Sequence, residues 1–288
     1  MKTKLALAVC VLFGIYGIGC GEEEEKTTED TKVAEDVTGG EEVAAETTTP
    51  AEVTEGETIE GETTTPEETV TPTKVTFKGT LIGFGTDLPV ADASIELFDN
   101  ETGNGTGVSV VSGANGEVEF PDMDSTKLLA FKTTKANHKD TYQFNYEPDA
   151  TDETLWIVSN TVYQMALGLA GLVVDAGKGT VAGAIYYVNA DGEEEPVGCA
   201  TVTSDPAGDV RYMACEGGLP TTLDKQASTC PAHGRFLATN LPAGKSKVIA
   251  KVGETEIGSI EIFTYGDAIG ISNIYVKGDA NPTPADCK

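Results

Sequence analysis

The chain has 288 residues, 47 acidic against 19 basic, for a formal net charge of −28. Nucleic-acid binding through a basic surface is disfavoured, because a phosphate backbone would be repelled. After residue 20 no stretch offers the roughly 18 consecutive apolar residues of a spanning helix, which excludes a multi-span membrane protein. Two His leave little material for imidazole-rich metal sites.

Lys2 and Lys4 precede an uncharged apolar run, Leu5 to Ile18, with the small residues Gly17 and Gly19 ahead of Cys20. This is a secretory signal over residues 1–19, too short and wrongly flanked for a lasting transmembrane helix. The Cys directly after Gly19 resembles the lipobox of bacterial lipoproteins, with Gly17 where that family usually has Leu. The resemblance implies cleavage before Cys20, a diacylglyceryl group on its thiol, and a lipid-anchored place in the cell envelope, at the outer membrane. An ordinary signal peptide with an incidental Cys20 is the alternative.

Residues 20–74 read as the lipidated Cys and a disordered tether. Gly21 to Lys74 holds 18 acidic residues, three Lys and 15 Thr, with TTTP at Thr47–Pro50 and again at Thr63–Pro66. Such a segment cannot bury enough apolar surface to offset its ordering entropy. As a flexible coil its 54 residues would span about 40 Å. Glu22 to Glu25 resembles the acidic surface-export signals of some lipoproteins; a solvated charge run is the plainer reading.

After Lys74 the texture changes to short alternating runs broken by Gly, Asn, Asp and Pro. Val75, Phe77 and Leu81 alternate with polar neighbours, Ile95 and Leu97 flank Glu96, and Val118 and Phe120 flank Glu119. These runs predict an all-β protein of two antiparallel β-sandwich domains. A self-comparison supplies the second domain. Pro89-Val90-Ala91-Asp92-Ala93-Ser94-Ile95 aligns without a gap on Pro196-Val197-Gly198-Cys199-Ala200-Thr201-Val202, and Asn115-Gly116 on His233-Gly234. The interval between the two motifs is 11 residues longer in the second copy, an insertion between Thr203 and Ala232. Asn115-Gly116 is a type I′ turn candidate, since both residues tolerate positive φ.

Each copy resembles the carboxypeptidase regulatory-like, or transthyretin-like, sandwiches. The resemblance rests on Gly79, Pro89 to Ile95 and Asn115-Gly116, and on Gly183, Pro196 to Val202, His233 to Phe236 and Leu241 to Gly244. Copy one lacks the Pro and Gly of the last turn. The resemblance implies seven-stranded accessory or adhesive modules that are not themselves hydrolases. Domains are read as 75–148 and 179–278, joined by a connector, 149–178, and followed by a tail, 279–288. Within the connector, Leu155 to Val158 reads as a strand. Ser159 to Gly171 carries a fair N-cap and a fair Gly stop around Val162, Met165, Ala166 and Leu169, which predicts a short helix with one buried stripe.

Little in the chain carries chemistry. Cys215, Cys230 and His233 lack the paired spacing of a zinc site. His138 stands alone in a polar loop, and no nucleophile motif is present. Gly103 to Gly107 is Gly-rich without a following Lys-Ser/Thr helix, so a hairpin loop is expected. Asp99, Glu101, Asp122 and Asp124 are weighed as a Ca²⁺ cluster against a solvated acidic rim, and the rim is preferred. The expectation is no metal, no cofactor and no catalytic residue.

With Cys10 removed and Cys20 lipidated, Cys199, Cys215, Cys230 and Cys287 remain, an even number in an exported chain, with three possible connectivities. Cys215 and Cys230 both fall within the insertion interval, and copy one has no Cys. The economical pairing is therefore Cys215 with Cys230, leaving Cys199 for Cys287. The functional expectation is a non-enzymatic envelope lipoprotein that binds the membrane through its lipid and an envelope protein or glycan through its sandwiches. The alternative is a glycan- or peptide-processing envelope enzyme or its substrate-binding subunit.

Overall fold

The computed structural model describes residues 72–287, which belong to one compact unit, Thr69–Lys288. Cys20, the signal segment and residues 21–71 of the tether lie outside the described residues. Seven strands come first: β1 (Lys74–Gly83), β2 (Ser94–Asp99), β3 (Gly105–Val111), β4 (Glu117–Asp124), β5 (Leu129–Thr134), β6 (Thr141–Tyr146) and β7 (Glu153–Ile157). The helix α1 (Asn160–Ala170) follows. Then come β8 (Gly179–Val188), β9 (Glu194–Pro196), β10 (Thr201–Asp205), β11 (Asp209–Met213) and β12 (Pro220–Thr221). The last are β13 (Arg235–Leu241), β14 (Gly244–Val252), β15 (Thr255–Thr264), β16 (Ile269–Ile271) and β17 (Ile274–Val276). The described chain is all-β around one helix.

The strands make three layers. One long sheet runs β12-β11-β13-β8-β16-β6-β5-β2-β3, with β9 and β17 also paired to β8. The short sheets β4-β1-β7 and β10-β14-β15 pack against it. Most neighbours are antiparallel, but β7 runs parallel to β1, β16 runs parallel to both β6 and β8, and β17 runs parallel to β8. Through β16 the sheet of the first copy continues into that of the second. Strand β7, within the stretch read as connector, completes the first sandwich.

This joint explains a departure from simple alternation. Strands β5 and β6 are buried on both faces, as interior strands of a covered sheet are. Phe131 and Leu129 enter the core of the first sandwich with Phe77, Leu81 and Phe120, while Ala130, Tyr142 and Phe144 enter that of the second with Val181, Ile185 and Phe236. At the seam Tyr142 stacks on Tyr265, with ring centroids 3.8 Å apart.

The internal repeat is visible bond for bond. Leu81 N donates to Gly116 O (2.8 Å) and Val90 N to Leu81 O (2.9 Å); Ile185 N donates to Gly234 O (3.0 Å) and Val197 N to Ile185 O (2.9 Å). Strand β1 pairs with β4 and β7 as β8 pairs with β13 and β17, and β2-β5-β6 corresponds to β10-β14-β15. Asp122 and Asn240 take positive φ, 61° and 62°, beside the register shifts of β4 and β13.

A buried hydroxyl clasps each copy. Ser112 Oγ donates to Val90 O (2.8 Å) and accepts from Ala93 N (3.0 Å). Thr229 Oγ1 does the same with Val197 O (2.8 Å) and Ala200 N (3.0 Å). Each residue's backbone closes the same loop, since Ser112 N donates to Ala93 O and Thr229 N to Ala200 O. The insertion fills the space between β10 and Thr229 with β11 and β12. It is long enough for β11 to leave β10 and pair with β13, whereas β3 stays on β2.

Two local expectations are corrected. The Asn115-Gly116 turn is not type I′, because only Gly116 has positive φ (79°). The turn runs Gly113 to Gly116, closed by Gly116 N to Gly113 O at 3.0 Å. It ends on a left-handed Gly, as three-residue hairpin loops do, and Asn115 is instead held by the Glu117 carboxylate. In α1, Ser159 caps Val162 N and Gly171 ends the helix at φ 63°, but the buried face is Tyr163, Leu167 and Ala170. Met165 and Leu169 are exposed. Tyr163 decides the face, since its ring fills the space under the helix while its hydroxyl reaches Thr180 Oγ1 at 2.7 Å, which keeps the buried oxygen satisfied.

Candidate recognition surface

The four cysteines of the described chain form two disulfides, Cys215–Cys230 with Cα atoms 5.2 Å apart and Cys199–Cys287 at 5.8 Å. The first closes the insertion on itself. The second ties down the tail, which is also sewn to the sheet by Gly198 N to Thr283 Oγ1 (2.9 Å) and Tyr187 Oη to Gly278 O (3.1 Å). Cys199 takes φ 54°, as its repeat equivalent Asp92 does at 52°.

His233 is a fastener for the insertion. Its Nε2 meets Ala214 O at 3.1 Å and its Nδ1 accepts from Arg235 N at 3.3 Å, the arrangement of a neutral imidazole. Burial pushes its pKa down; the Ala214 carbonyl opposes this and Arg235 adds to it. His138 Nδ1 lies 2.9 Å from Ala136 O, beside the backbone bridge to Ser159.

Two of the acidic residues weighed for Ca²⁺, Asp99 and Asp124, are turn makers. Asp99 Oδ1 accepts from Thr102 N (2.8 Å) and Glu101 N (3.0 Å), and Asp124 Oδ1 accepts from Thr126 N (3.0 Å) and Thr126 Oγ1 (2.7 Å). The hydrogen bonds from Thr102 and Thr126 hold these carboxyls below the ordinary range. Among the described residues no group of three or more His, Cys, Asp or Glu is placed to hold a metal ion. Of the Gly-rich stretch, Gly103 and Asn104 lie in the β2–β3 hairpin loop, with Gly103 N bonded to Asp99 O, while Gly105 to Gly107 open β3. No helix of the described chain is long and apolar enough to cross a membrane.

Two shallow, open grooves mark the surface. One follows β4-β1-β7 beside Lys78, Thr80, Glu119 and Asp152; the other lies between β10 and β11 beside Ser204, Asp209, Arg211 and Leu223. In the second, Arg211 is committed to Ala170 O (3.1 Å) and Val210 O (2.8 Å).

A feature that pattern reading passed over lies on β8 and β17. Tyr186 pairs with Tyr275 on one side and Pro196 on the other, which sets the three side chains in one cross-strand row. Its neighbours Ile185 and Tyr187 face the second core, so Tyr186 faces outward. The two tyrosine rings have centroids 6.2 Å apart and lie 25° from parallel. Tyr275 is 48% exposed, and its hydroxyl accepts from Asn273 Nδ2 at 3.5 Å. Burial raises the pKa of both hydroxyls; Arg235 lowers that of Tyr186, and Glu194 adds to the rise at both. Tyr186 and Tyr275 are far apart in the chain, and no sequence motif joins them.

No protein family and no curated protein matches the chain. Among solved structures it is similar to the TIE protein of Bacillus anthracis, at 13% identity over 70% of this chain and 34% of that one, with a TM-score of 0.24. It is also similar to the minor pilin of Streptococcus agalactiae, at 9% identity over 73% of this chain and 99% of that one, TM-score 0.24. A shaft pilin of Lactobacillus rhamnosus GG is matched at 7% identity over 72% and 99%, TM-score 0.24. The chain spans about a third of the TIE protein's length.

Proposed function

We propose that this protein is a non-enzymatic lipoprotein of the cell envelope, held at the outer membrane through Cys20 and presenting two fused transthyretin-like sandwiches for a structural or recognition role. The observation that carries the reading is what the reactive side chains do. His233 fastens the insertion, Asp99 and Asp124 close turns, and the four cysteines of the described chain are bonded in pairs. These groups serve the fold. The fused three-layer build suits display, because the two sandwiches share a sheet and hold a fixed relation. The acidic tether supplies reach from the membrane, and acyl chains on Cys20 supply the anchor, at about 0.8 kcal/mol for each buried methylene. Cell fractionation tests the anchor. Cys20→Ala is expected to move the protein to the soluble fraction; a variant that stays membrane-bound with unchanged mass contradicts it.

A further inference from the structure

The two copies put different side chains on one equivalent row. In the first it is Pro89, Ile82 and Trp156, where Pro89 bridges to Ile82 and Ile82 pairs with Trp156. In the second it is Pro196, Tyr186 and Tyr275, joined by the same pairings. The first row is built into the fold, because Phe84 meets Trp156 edge-on at 5.9 Å and itself packs against the cluster under α1. The second row sits beyond that cluster, with Tyr275 about half exposed.

The chemistry around this row is mixed in a particular way. Two near-parallel aromatic rings and a proline offer faces for C–H contact. Asn273 offers an amide, Arg235 a guanidinium and Glu194 a carboxylate near the tyrosine hydroxyls. Both hydroxyls are protonated at neutral pH, as any phenol is, and so can donate as well as accept. A pyranose ring needs this combination, an apolar face of axial C–H groups bounded by hydroxyls that both donate and accept.

Charge disfavours two kinds of occupant. Residues 72–287 carry 29 acidic and 14 basic side chains, so a second copy or an anionic polymer would bring like charge to this surface. A neutral polyol incurs no such repulsion. We propose that the Pro196–Tyr186–Tyr275 row is a binding platform for a neutral polysaccharide segment, with sugar rings on the tyrosine faces and hydroxyls bonded to Asn273, Arg235 and Glu194. This deepens the recognition half of the proposed function and rests on it. The anchor is read out by fractionation and the platform by titration, so either can fail alone.

The test titrates the full chain with cellohexaose, maltohexaose and N-acetylchitohexaose by isothermal calorimetry. The variants are Tyr186→Ala, Tyr275→Ala, Tyr275→Phe and, as a remote surface control on β3, Val108→Ala. Thermal unfolding of each is checked, and truncating the half-exposed Tyr275 opens no core. At least one hexasaccharide is expected to bind. Each Tyr→Ala change is expected to weaken that binding by about tenfold or more, as loss of an aromatic contact implies. Tyr275→Phe, which keeps the ring, should lose less than Tyr275→Ala, and Val108→Ala should bind like the parent. If none of the three binds, or if both alanine variants bind unchanged, the platform is refuted. A parent dimer that Tyr275→Ala dissociates in sedimentation would also refute it, in favour of a second copy.

Discussion

The hydroxyl clasp makes the sharpest stability prediction. Thr229 is fully buried, as is Ala200, whose amide donates to the Thr229 hydroxyl. Thr229→Val keeps the shape, leaves that amide without its acceptor, and removes the donor to Val197 O. An unsatisfied buried amide costs about 1–3 kcal/mol. At about 2–4 °C per kcal/mol for a domain of this size, the melting temperature should fall by about 2–12 °C. Thr229→Ser keeps the oxygen and loses one buried methyl, a cost of about 1 kcal/mol. The expected order of melting temperatures, followed by circular dichroism with disulfides intact, is parent, then Ser, then Val. Ser112→Ala should fall in the same direction in the first copy. A Thr229→Val protein that melts with the parent, or a Thr229→Ser protein that falls as far as Val, would refute the reasoning.

Other outcomes follow from the same structure. Gly234→Ala should destabilise by about 1–2 kcal/mol or more in urea titration, since the position needs left-handed φ and a Cβ there would lie 2.5 Å from Ile185 O. Gly116→Ala meets Leu81 O at the same 2.5 Å and should behave alike; an unchanged midpoint in either would contradict the turn geometry. Replacing Cys215 and Cys230 together by Ser should cost about 3 kcal/mol for a 15-residue loop, less any strain relieved, and full retention of stability would oppose the stapled insertion. The pKa of His233 is held below its ordinary 6.5, so its contribution is present above that value and is lost as pH falls. Between about pH 7 and about pH 5 the melting temperature of His233→Asn should therefore decline less than the parent's, and equal slopes would exclude the effect. Phe131→Ala should cost about 3–5 kcal/mol by emptying the first core, measurable as a lowered urea midpoint.

Much of this fold could be read before any coordinates. The Pro-Val-x-x-Ala run and the Gly turn each survive as a set of backbone hydrogen bonds, because both mark places where the chain must bend against its own sheet. Other features were hidden for physical reasons. Ser112 and Thr229 lie outside the aligned motifs, four and five residues before their turn glycines, and a lone hydroxyl in a loop gives no pattern. The seam through β6 and β16 was invisible because β16 is only three residues long and pairs in parallel with strands distant in sequence. Strand β5 carried the trace of it, a continuous buried Leu-Ala-Phe run where one-sided burial would alternate. The helix face was misassigned because Val162, Met165 and Leu169 have the same helical spacing as Tyr163, Leu167 and Ala170; the Tyr163–Thr180 bond, long-range in sequence, chooses between them. The tyrosine row emerges only when equivalent positions of the two copies are laid side by side.

The central claim is that this is an anchored display protein, and intact mass of the protein recovered from the cell envelope tests it most directly. The account predicts a chain that begins at Cys20 and carries the added mass of a diacylglyceryl group with further acylation on its amine. An unmodified chain, or one cleaved at any other residue, would contradict it.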